Sequence, residues 1–188
     1  MMCRHRTRRS RPRLTASALA WAWAVACVAT SLPLGAQDGG GDAMAKAKFA
    51  TTLARFVTWP AAPSSGAMRL CVLHQSPAIA AAFAAYDGGT VLGRKLEVVS
   101  NPAPSSSSCD LLFVDSSLQR GALRGVDAAG EPPTLTVGAV DGFISRGGMV
   151  EIVNVNDTLR FDVNLPALRR AGLSLNSQAL KLARQVRE

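Results

Sequence analysis

The sequence offers few side chains that could do catalytic chemistry. Of its two histidines, only His74 lies beyond the basic N-terminal segment, and a lone histidine after an apolar run is usually a surface residue or a hydrogen-bonded one. With no second histidine near a cysteine or carboxylate cluster, a zinc site is not expected. There is no GxSxG motif, and Arg146-Gly147-Gly148 lacks the spacing of a phosphate-binding loop. The sequence therefore predicts no catalytic residue, no metal and no cofactor.

Charged side chains are the remaining candidates for binding. Glu151 and Asp162 face each other if their segments form a hairpin, and with Arg160 nearby the simplest interpretation is a surface charge ladder. Exposed arginines suit a carboxylate, a phosphate or an acidic protein surface, and a solvated face is the alternative. The candidate partner- or ligand-binding residues are Arg55, Glu151, Arg160, Asp162, Arg169 and Arg170.

The elements that would position these residues begin with alternating helices and strands. Asp42 is expected to cap a helix that Pro60 ends, with an apolar face of Phe49, Leu53, Phe56 and Val57. Further helices are predicted at 79–86 and, more weakly, at 117–126. Apolar or alternating runs predict strands at 69–73, 95–100, 109–114 and 134–140. This alternation predicts one α/β domain at 43–188, a central mixed β-sheet flanked by helices.

The last third has a different pattern. Residues 149–155 and 158–164 alternate with period two around Asn156-Asp157, which predicts an antiparallel hairpin at the edge of the sheet. A short helix is expected from Pro166 to Ala171. Ser177 begins a terminal helix, whose predicted apolar stripe is Ala179, Leu182, Ala183 and Val186. The phenylalanines at core phase are Phe49, Phe56, Phe83, Phe113 and Phe161.

The first 36 residues have the layout of a secretory signal peptide. They carry six arginines and no acid, and residues 16–34 form an apolar run before small residues at Gly35-Ala36. We expect cleavage near Ala36, a flexible mature N-terminus at 37–42, and a periplasmic protein. The alternatives are an uncleaved anchor, a twin-arginine signal at Arg8-Arg9, and a lipid anchor at Cys27.

Removing the leader changes the charge and the cysteine count. The 21 Lys+Arg and 13 Asp+Glu become 15 and 13, because six arginines leave, so the net charge falls from +8 to +2. The basic balance is therefore a targeting signal and does not indicate nucleic-acid binding. Only Cys71 and Cys109 remain, an even pair that predicts a disulfide in an oxidising compartment, with two free thiols as the alternative.

An ordered set of motifs along the chain resembles the YfiR family of periplasmic proteins. The set covers nearly the whole chain after the leader. Its members are Phe49, LARFVTWP at 53–60, LCVL at 70–73, GRKL at 93–96, CDLLFV at 109–114, Gly142-Phe143, GGMV at 147–150, LRFDVN at 159–164, AGLSLNS at 171–177 and LKLAR at 180–184.

The resemblance implies a periplasmic α/β repressor that binds the periplasmic sensor region of a membrane-bound diguanylate cyclase. Such binding lowers cyclic di-GMP synthesis and biofilm formation, and a peptidoglycan-associated outer-membrane lipoprotein can sequester the repressor. The family's strand-linking disulfide matches Cys71 and Cys109. A second cysteine pair of some relatives is missing, since residues 143–155 contain no cysteine, and this puts in doubt a redox switch based on that pair.

We therefore expect a regulator and not an enzyme, with the hairpin and residues 165–175 contacting an acidic or apolar patch on the cyclase. In this hypothesis the disulfide keeps the domain folded, and its reduction releases the cyclase. The alternative is a ligand-sensing envelope module that binds a small anionic or aromatic metabolite through Arg55, Arg160 or Arg170. Whether the protein is a homodimer is left open by the sequence.

Overall fold

A mixed β-sheet with helices against it forms the fold, as the sequence predicts. The structure, a computed structural model, describes residues 38–60, 66–103, 109–118 and 133–188. All of them belong to one unit, Leu34–Glu188. The predicted signal peptide, the alternative anchor at Cys27 and most of the predicted helix at 117–126 lie outside the described residues and stay predictions.

The main sheet joins strands from both halves of the chain. In chain order the strands are β1 Val57–Thr58, β2 Met68–Leu73, β3 Thr90–Val91, β4 Arg94–Ser100, β5 Leu111–Asp115, β6 Leu135–Ala139, β7 Val150–Val155, β8 Thr158–Asn164, β9 Ser174–Leu175 and β10 Gln185–Arg187. Within the described residues the main sheet has eight strands, in the order β10-β8-β7-β6-β5-β2-β4-β3. Its pairs are parallel except β7–β8 and β3–β4, and β1 pairs antiparallel with β9.

The helices are α1 Asp38–Leu53, α2 Pro77–Ala84, α3 Leu165–Arg170 and α4 Ser177–Leu182, with 3-10 turns at Ala54–Phe56 and Ile144–Arg146. α1 begins before Asp42, so residues 38–42, predicted to be flexible, are helical. Asp42 is not the cap and forms an ion pair with Lys46 one turn on. None of the described helices combines the length and apolarity that crossing a membrane requires.

The central strands of the sheet, which have a neighbouring strand on each side, carry its most deeply buried side chains. β2, β5 and β6 are almost wholly buried, as expected for apolar runs in a parallel sheet. The register aligns Val72 of β2 with Phe113 of β5, and Phe83 of α2 packs on Phe113 with ring centroids 4.5 Å apart. The strands predicted in these regions are confirmed to within a few residues.

The predicted hairpin is confirmed, but it does not form the edge of the sheet. β7 and β8 pair antiparallel, and Asn156 and Asp157 both have positive φ angles, 49° and 57°, a conformation that Asn and Asp tolerate in tight hairpin turns. β10 lies on the outer side of β8, in parallel, with Val186 opposite Val163. The edge prediction was wrong because β10, which the sequence did not reveal, covers β8.

The terminal helix is shorter than predicted. α4 ends at Leu182, and Ala183 has ψ 140°, an extended conformation. The backbone N–H of Arg184 then donates to the Phe161 carbonyl at 2.8 Å, and the chain continues as β10. Val186, predicted on the helical stripe, is therefore a strand residue.

Asn164 joins three parts of the domain. Its side-chain oxygen accepts from the Ala167 N–H at 3.2 Å and caps α3, and its Nδ2 donates to the carbonyls of Ile144 and Gly148 at 3.1 Å each. The side chain is 5% exposed, so all of these bonds are shielded from water. The end of β8 is thereby fixed to α3 and to the loop before β7.

The ring of Phe143 lies against two glycines. A Cβ atom at Gly138 or at Gly148 would overlap this ring, which is 2% exposed. The loop between β6 and β7 can therefore close only if both positions lack a side chain.

The disulfide Cys71–Cys109 is present and links β2 to the residues just before β5, with Cα atoms 5.8 Å apart. A second connection holds the same segment: Asp110 accepts from Arg94 at 3.0 and 3.2 Å and from the Arg69 backbone N–H at 2.7 Å. Arg94 also donates to the Ala67 carbonyl at 2.6 Å. The start of β5 is thus tied to its neighbours both covalently and by charge.

Gly148→Ala should destabilise the domain, because the added methyl group would displace the buried Phe143 ring. We expect a loss of about 1–3 kcal/mol in the free energy of unfolding, the usual range for overpacking, measured by denaturant titration. Gly41→Ala in α1 is the matched control, since nothing lies within 4 Å of its added Cβ. That control should be neutral or stabilising by up to about 1 kcal/mol. Equal stability of the two variants would contradict the packing described.

Replacing both cysteines by serine should lower stability without unfolding the domain. Loop closure over this separation, 38 residues, contributes at most about 4 kcal/mol in the chain-entropy model. The Arg94–Asp110 contacts remain to hold the segment. We therefore expect a lower Tm with a cooperative transition, and a further fall on adding Arg94→Gln. An unchanged Tm in the double cysteine variant would contradict a stabilising disulfide.

Candidate functional site

An apolar groove lies between α1, β8 and α4. Its volume is about 490 Å³, and its lining residues come from these elements and the 3-10 turn after α1. β8 contributes Leu159 and Phe161, and α4 contributes Gln178, Ala179 and Leu182. We call this concave surface the groove.

The groove exists because α1 has two different apolar faces. One face points into the core, where Ala43, Ala47 and Ala50 are at most 2% exposed. The larger side chains face the groove instead, and Phe49, Leu53 and Phe56 all line it. The spacing i, i+4, i+7 that predicted a core-facing stripe is correct as a helical face, but that face borders an open groove. Phe56 is 39% exposed, so its prediction as a core residue was wrong.

The floor of the groove is the aromatic side of β8. Phe161 is 7% exposed, and its ring packs against Phe49 with centroids 5.2 Å apart and planes tilted by 52°. This contact joins α1 to the sheet at the base of the groove.

The wall made by α4 is followed directly by an ion pair with β8. Nε of Arg184 donates to Oδ1 of Asp162 at 2.8 Å, and Nη2 contacts Oδ2 of the same carboxylate. This hydrogen bond and the negative charge of Asp162 raise the pKa of Arg184 above its usual value, and the charge of Glu151 adds to the effect. The Asp162 side chain is 4% exposed and that of Arg184 is 47% exposed. The ion pair therefore links the buried carboxylate of β8 to the surface segment that directly follows α4, the helix that forms one wall of the groove.

Glu151 and Asp162 do lie opposite each other across the hairpin, as predicted. They are not a surface charge ladder, because Glu151 is 6% exposed and Asp162 is 3% exposed. Each acid has its own compensation: Glu151 accepts the backbone N–H groups of Gly142 and Ile144 at 2.8 and 3.1 Å. Both acids are therefore structural, and neither is free to bind a partner.

The predicted arginines are exposed, but they do not belong to the groove. Arg160 projects beside the hairpin opposite Val153, and Arg169 and Arg170 lie in the last turn of α3. Arg55 donates to the Thr90 carbonyl at 3.3 Å. None of the four lines the groove. The cation that does is Lys48, which the prediction omitted.

His74 is neither exposed nor hydrogen-bonded through its ring. It is 8% exposed, and neither ring nitrogen has a hydrogen-bond partner among the described residues, so the expectation of a surface or satisfied histidine was wrong. The backbone N–H of His74, which directly follows β2, donates to Oδ1 of Asn101. In the part of the chain that is described, no three His, Cys, Asp or Glu side chains cluster as metal ligands would.

The sequence contains one signal for the groove. Besides the phenylalanine stripe, α1 has an alanine stripe at 43, 47, 50 and 54. A helix with two apolar faces either lies wholly inside a protein or leaves one face for a ligand or partner. The polar residues Lys48 and Thr52, beside the phenylalanine stripe, indicate the second case.

Arg184→Gln should loosen the groove wall, because it leaves the buried Asp162 carboxylate facing Glu151 without a counter-ion. We expect Tm to fall by several degrees and the Arg184 amide proton to exchange faster with solvent. Adding Asp162→Asn should recover part of the loss, since it removes the uncompensated charge. Arg187→Gln, on the exposed side of β10, is the control and should leave both readouts unchanged. An equal effect of the two arginine substitutions would show that the ion pair does not hold the wall.

Comparisons with known proteins identify the fold. A solved structure of the ABC domain in complex with L-Trp from Streptococcus pneumonia matches with a TM-score of 0.52 at 17% identity, over 75% of this chain and 60% of that one. A conserved domain protein from Vibrio cholerae O1 biovar El Tor matches with a TM-score of 0.48 at 12% identity, over 77% and 60%. The chain thus spans 60% of the length of each. The first of these supports the α/β fold and nothing finer.

The family comes from the sequence. A search of curated proteins gave no match. The model of the YfiR/HmsC-like family matches residues 43–184, which includes every element from α1 to the end of α4 except the first residues of α1. On that extent of agreement, the chain belongs to the YfiR/HmsC-like family.

Proposed function

We propose that this protein is a periplasmic negative regulator of cyclic di-GMP signalling. The observation that carries the proposal is the family match over residues 43–184, since the YfiR-like family is regulatory rather than catalytic. In the proposed mechanism the protein binds the periplasmic sensor region of an inner-membrane diguanylate cyclase and lowers its activity, and with it biofilm formation. An outer-membrane, peptidoglycan-associated lipoprotein sequesters the regulator and so frees the cyclase.

The disulfide supports the proposed compartment. Cys71 and Cys109 are bonded, and structural disulfides persist in oxidising environments such as the periplasm. The sequence of the first 36 residues supports export to it.

The charged surface supports a protein partner with an acidic patch. Arg169 and Arg170 are exposed at the C-terminal end of α3, and neither forms an ion pair within the described residues. Arg160 on β8 is exposed in the same way. Free guanidinium groups on rigid elements form forked hydrogen bonds with carboxylates. The proposed contact surface for the cyclase is therefore the hairpin and residues 165–175.

The groove favours a second candidate function, a ligand-sensing envelope module that acts on a different membrane partner. Its volume of about 490 Å³ lies within the usual range of small-molecule sites, roughly 300–1,000 Å³. The two functions differ in what they require: repression requires a cyclase partner, and sensing requires a ligand.

The proposed repression is tested by measuring intracellular cyclic di-GMP in the native host. Deleting the gene should raise the level several-fold, the intact gene should reverse the rise, and also deleting the partner cyclase should abolish it. Arg169→Glu with Arg170→Glu should fail to reverse the rise, because acids at these positions repel an acidic partner. Lys95→Glu, exposed on β4 near the other edge of the sheet, is the matched control and should complement fully.

An unchanged cyclic di-GMP level on deletion would contradict repression. Full complementation by the double arginine variant, with normal export and Tm, would instead show that the contact surface lies elsewhere.

A further inference from the structure

The groove combines a large apolar surface with one unpaired cation. Among the groove residues only Lys48 carries a charge, and it forms no ion pair within the described residues. The side chain is exposed on α1, next to Phe49 at the groove floor and one turn before Thr52. A molecule bound in the groove would therefore contact an apolar surface and, beside it, a positive charge.

The exposed leucine of α4 is the second unusual feature. Leu182 is 71% exposed although it lines the groove, and Phe56 is 39% exposed on the opposite side. Large apolar side chains exposed on both sides of one concavity are typical of a binding site. Covering them would remove apolar surface from water on both sides at once.

We propose that the groove binds an amphiphile with an apolar chain or ring system and a single anionic head group, with the head at Lys48. The three phenylalanines and Leu182 hold the apolar part. The polar groups of Thr52 and Gln178 also line the groove and can donate to the head group. No acid lines the groove, so an anion is not repelled there, whereas a cationic amphiphile is repelled by Lys48.

A small amphiphile fits the groove better than a second copy of the chain or a partner protein. The apolar surface is concave and its volume is that of a small-molecule site. A stable protein interface needs roughly 800 Å² from each partner. The proposal rests on the second candidate function and is independent of the cyclase.

The test uses the protein purified from its host and dodecanoate as the probe, with binding measured by calorimetry and by displacement of anilinonaphthalene sulfonate. Dodecanoate should bind saturably at one site. Dodecanol should bind more weakly, and dodecyltrimethylammonium should bind most weakly, because only the carboxylate gains from Lys48.

Two substitutions locate the site, each with a matched control. Leu182→Glu should weaken dodecanoate binding by at least about tenfold, since burying a leucine accounts for that much. Val155→Glu, another exposed apolar residue, lies at the hairpin tip outside the groove and should have no effect. Lys48→Gln should weaken dodecanoate binding by about two- to fivefold and leave dodecanol binding unchanged. Lys181→Gln, on α4 but outside the groove lining, should change neither.

Several results would overturn the proposal. Absence of saturable dodecanoate binding would contradict the proposed class of ligand. Equal affinity for the three head groups would contradict the proposed role of Lys48. A dimer in light scattering that Leu182→Glu dissociates would show that a second copy occupies the groove. Cyclic di-GMP levels play no part in these measurements, so failure here leaves the proposed repression standing.

Discussion

The burial of the Asp162 carboxylate is the constraint on which the C-terminal part of the domain depends. A carboxylate buried in a sheet must be compensated by hydrogen bonds or a counter-ion, and within the described residues the counter-ion of Asp162 is Arg184, which follows α4. Pairing brings the chain back along β8, so that β10 joins the sheet and α4 is left standing beside Phe161. The groove is the space between that returning segment and α1. The ion pair of one buried charge thus links the edge of the sheet to one wall of the candidate site.

The parts of this fold that the sequence predicted depend on neighbours along the chain. Period-two alternation and the Asn156-Asp157 turn predict the hairpin, because strand faces and turn conformation are local properties. β10 could not be found in this way. Gln185–Arg187 is too short to show a strand pattern of its own, and it is a strand because it pairs with β8, more than twenty positions earlier, beside the Arg184–Asp162 contact. In the sequence alone, Leu182 and Val186 continue a helical stripe.

The candidate site was missed for a related reason. Spacing identifies which side chains share a face of a helix, but it does not say what covers that face. Helical phase predicts Phe56 in the core, whereas alanine residues fill the core side of α1 and Phe56 lies exposed at the groove; Phe49, on the same stripe, packs against the core and also lines the groove. Glu151 differs from its prediction in the opposite sense: its sequence position predicts an exposed acid, and the structure buries it. Its burial depends on two backbone N–H groups in the loop before β7, which no local pattern indicates.

The near-neutral net charge of residues 37–188, 15 Lys+Arg against 13 Asp+Glu, conceals a separation of the two signs. Several acids face inward or are held in ion pairs: Glu151 by backbone N–H groups, Asp162 by Arg184 and Asp110 by Arg94. Arg169, Arg170 and Lys48 remain exposed without an ion pair among the described residues. The described surface around α3 and the groove therefore carries more positive charge than the residue count indicates. Glu151, Asp162 and Asp110 already accept hydrogen bonds from within the domain, so their charges are compensated there and do not offset the exposed cations.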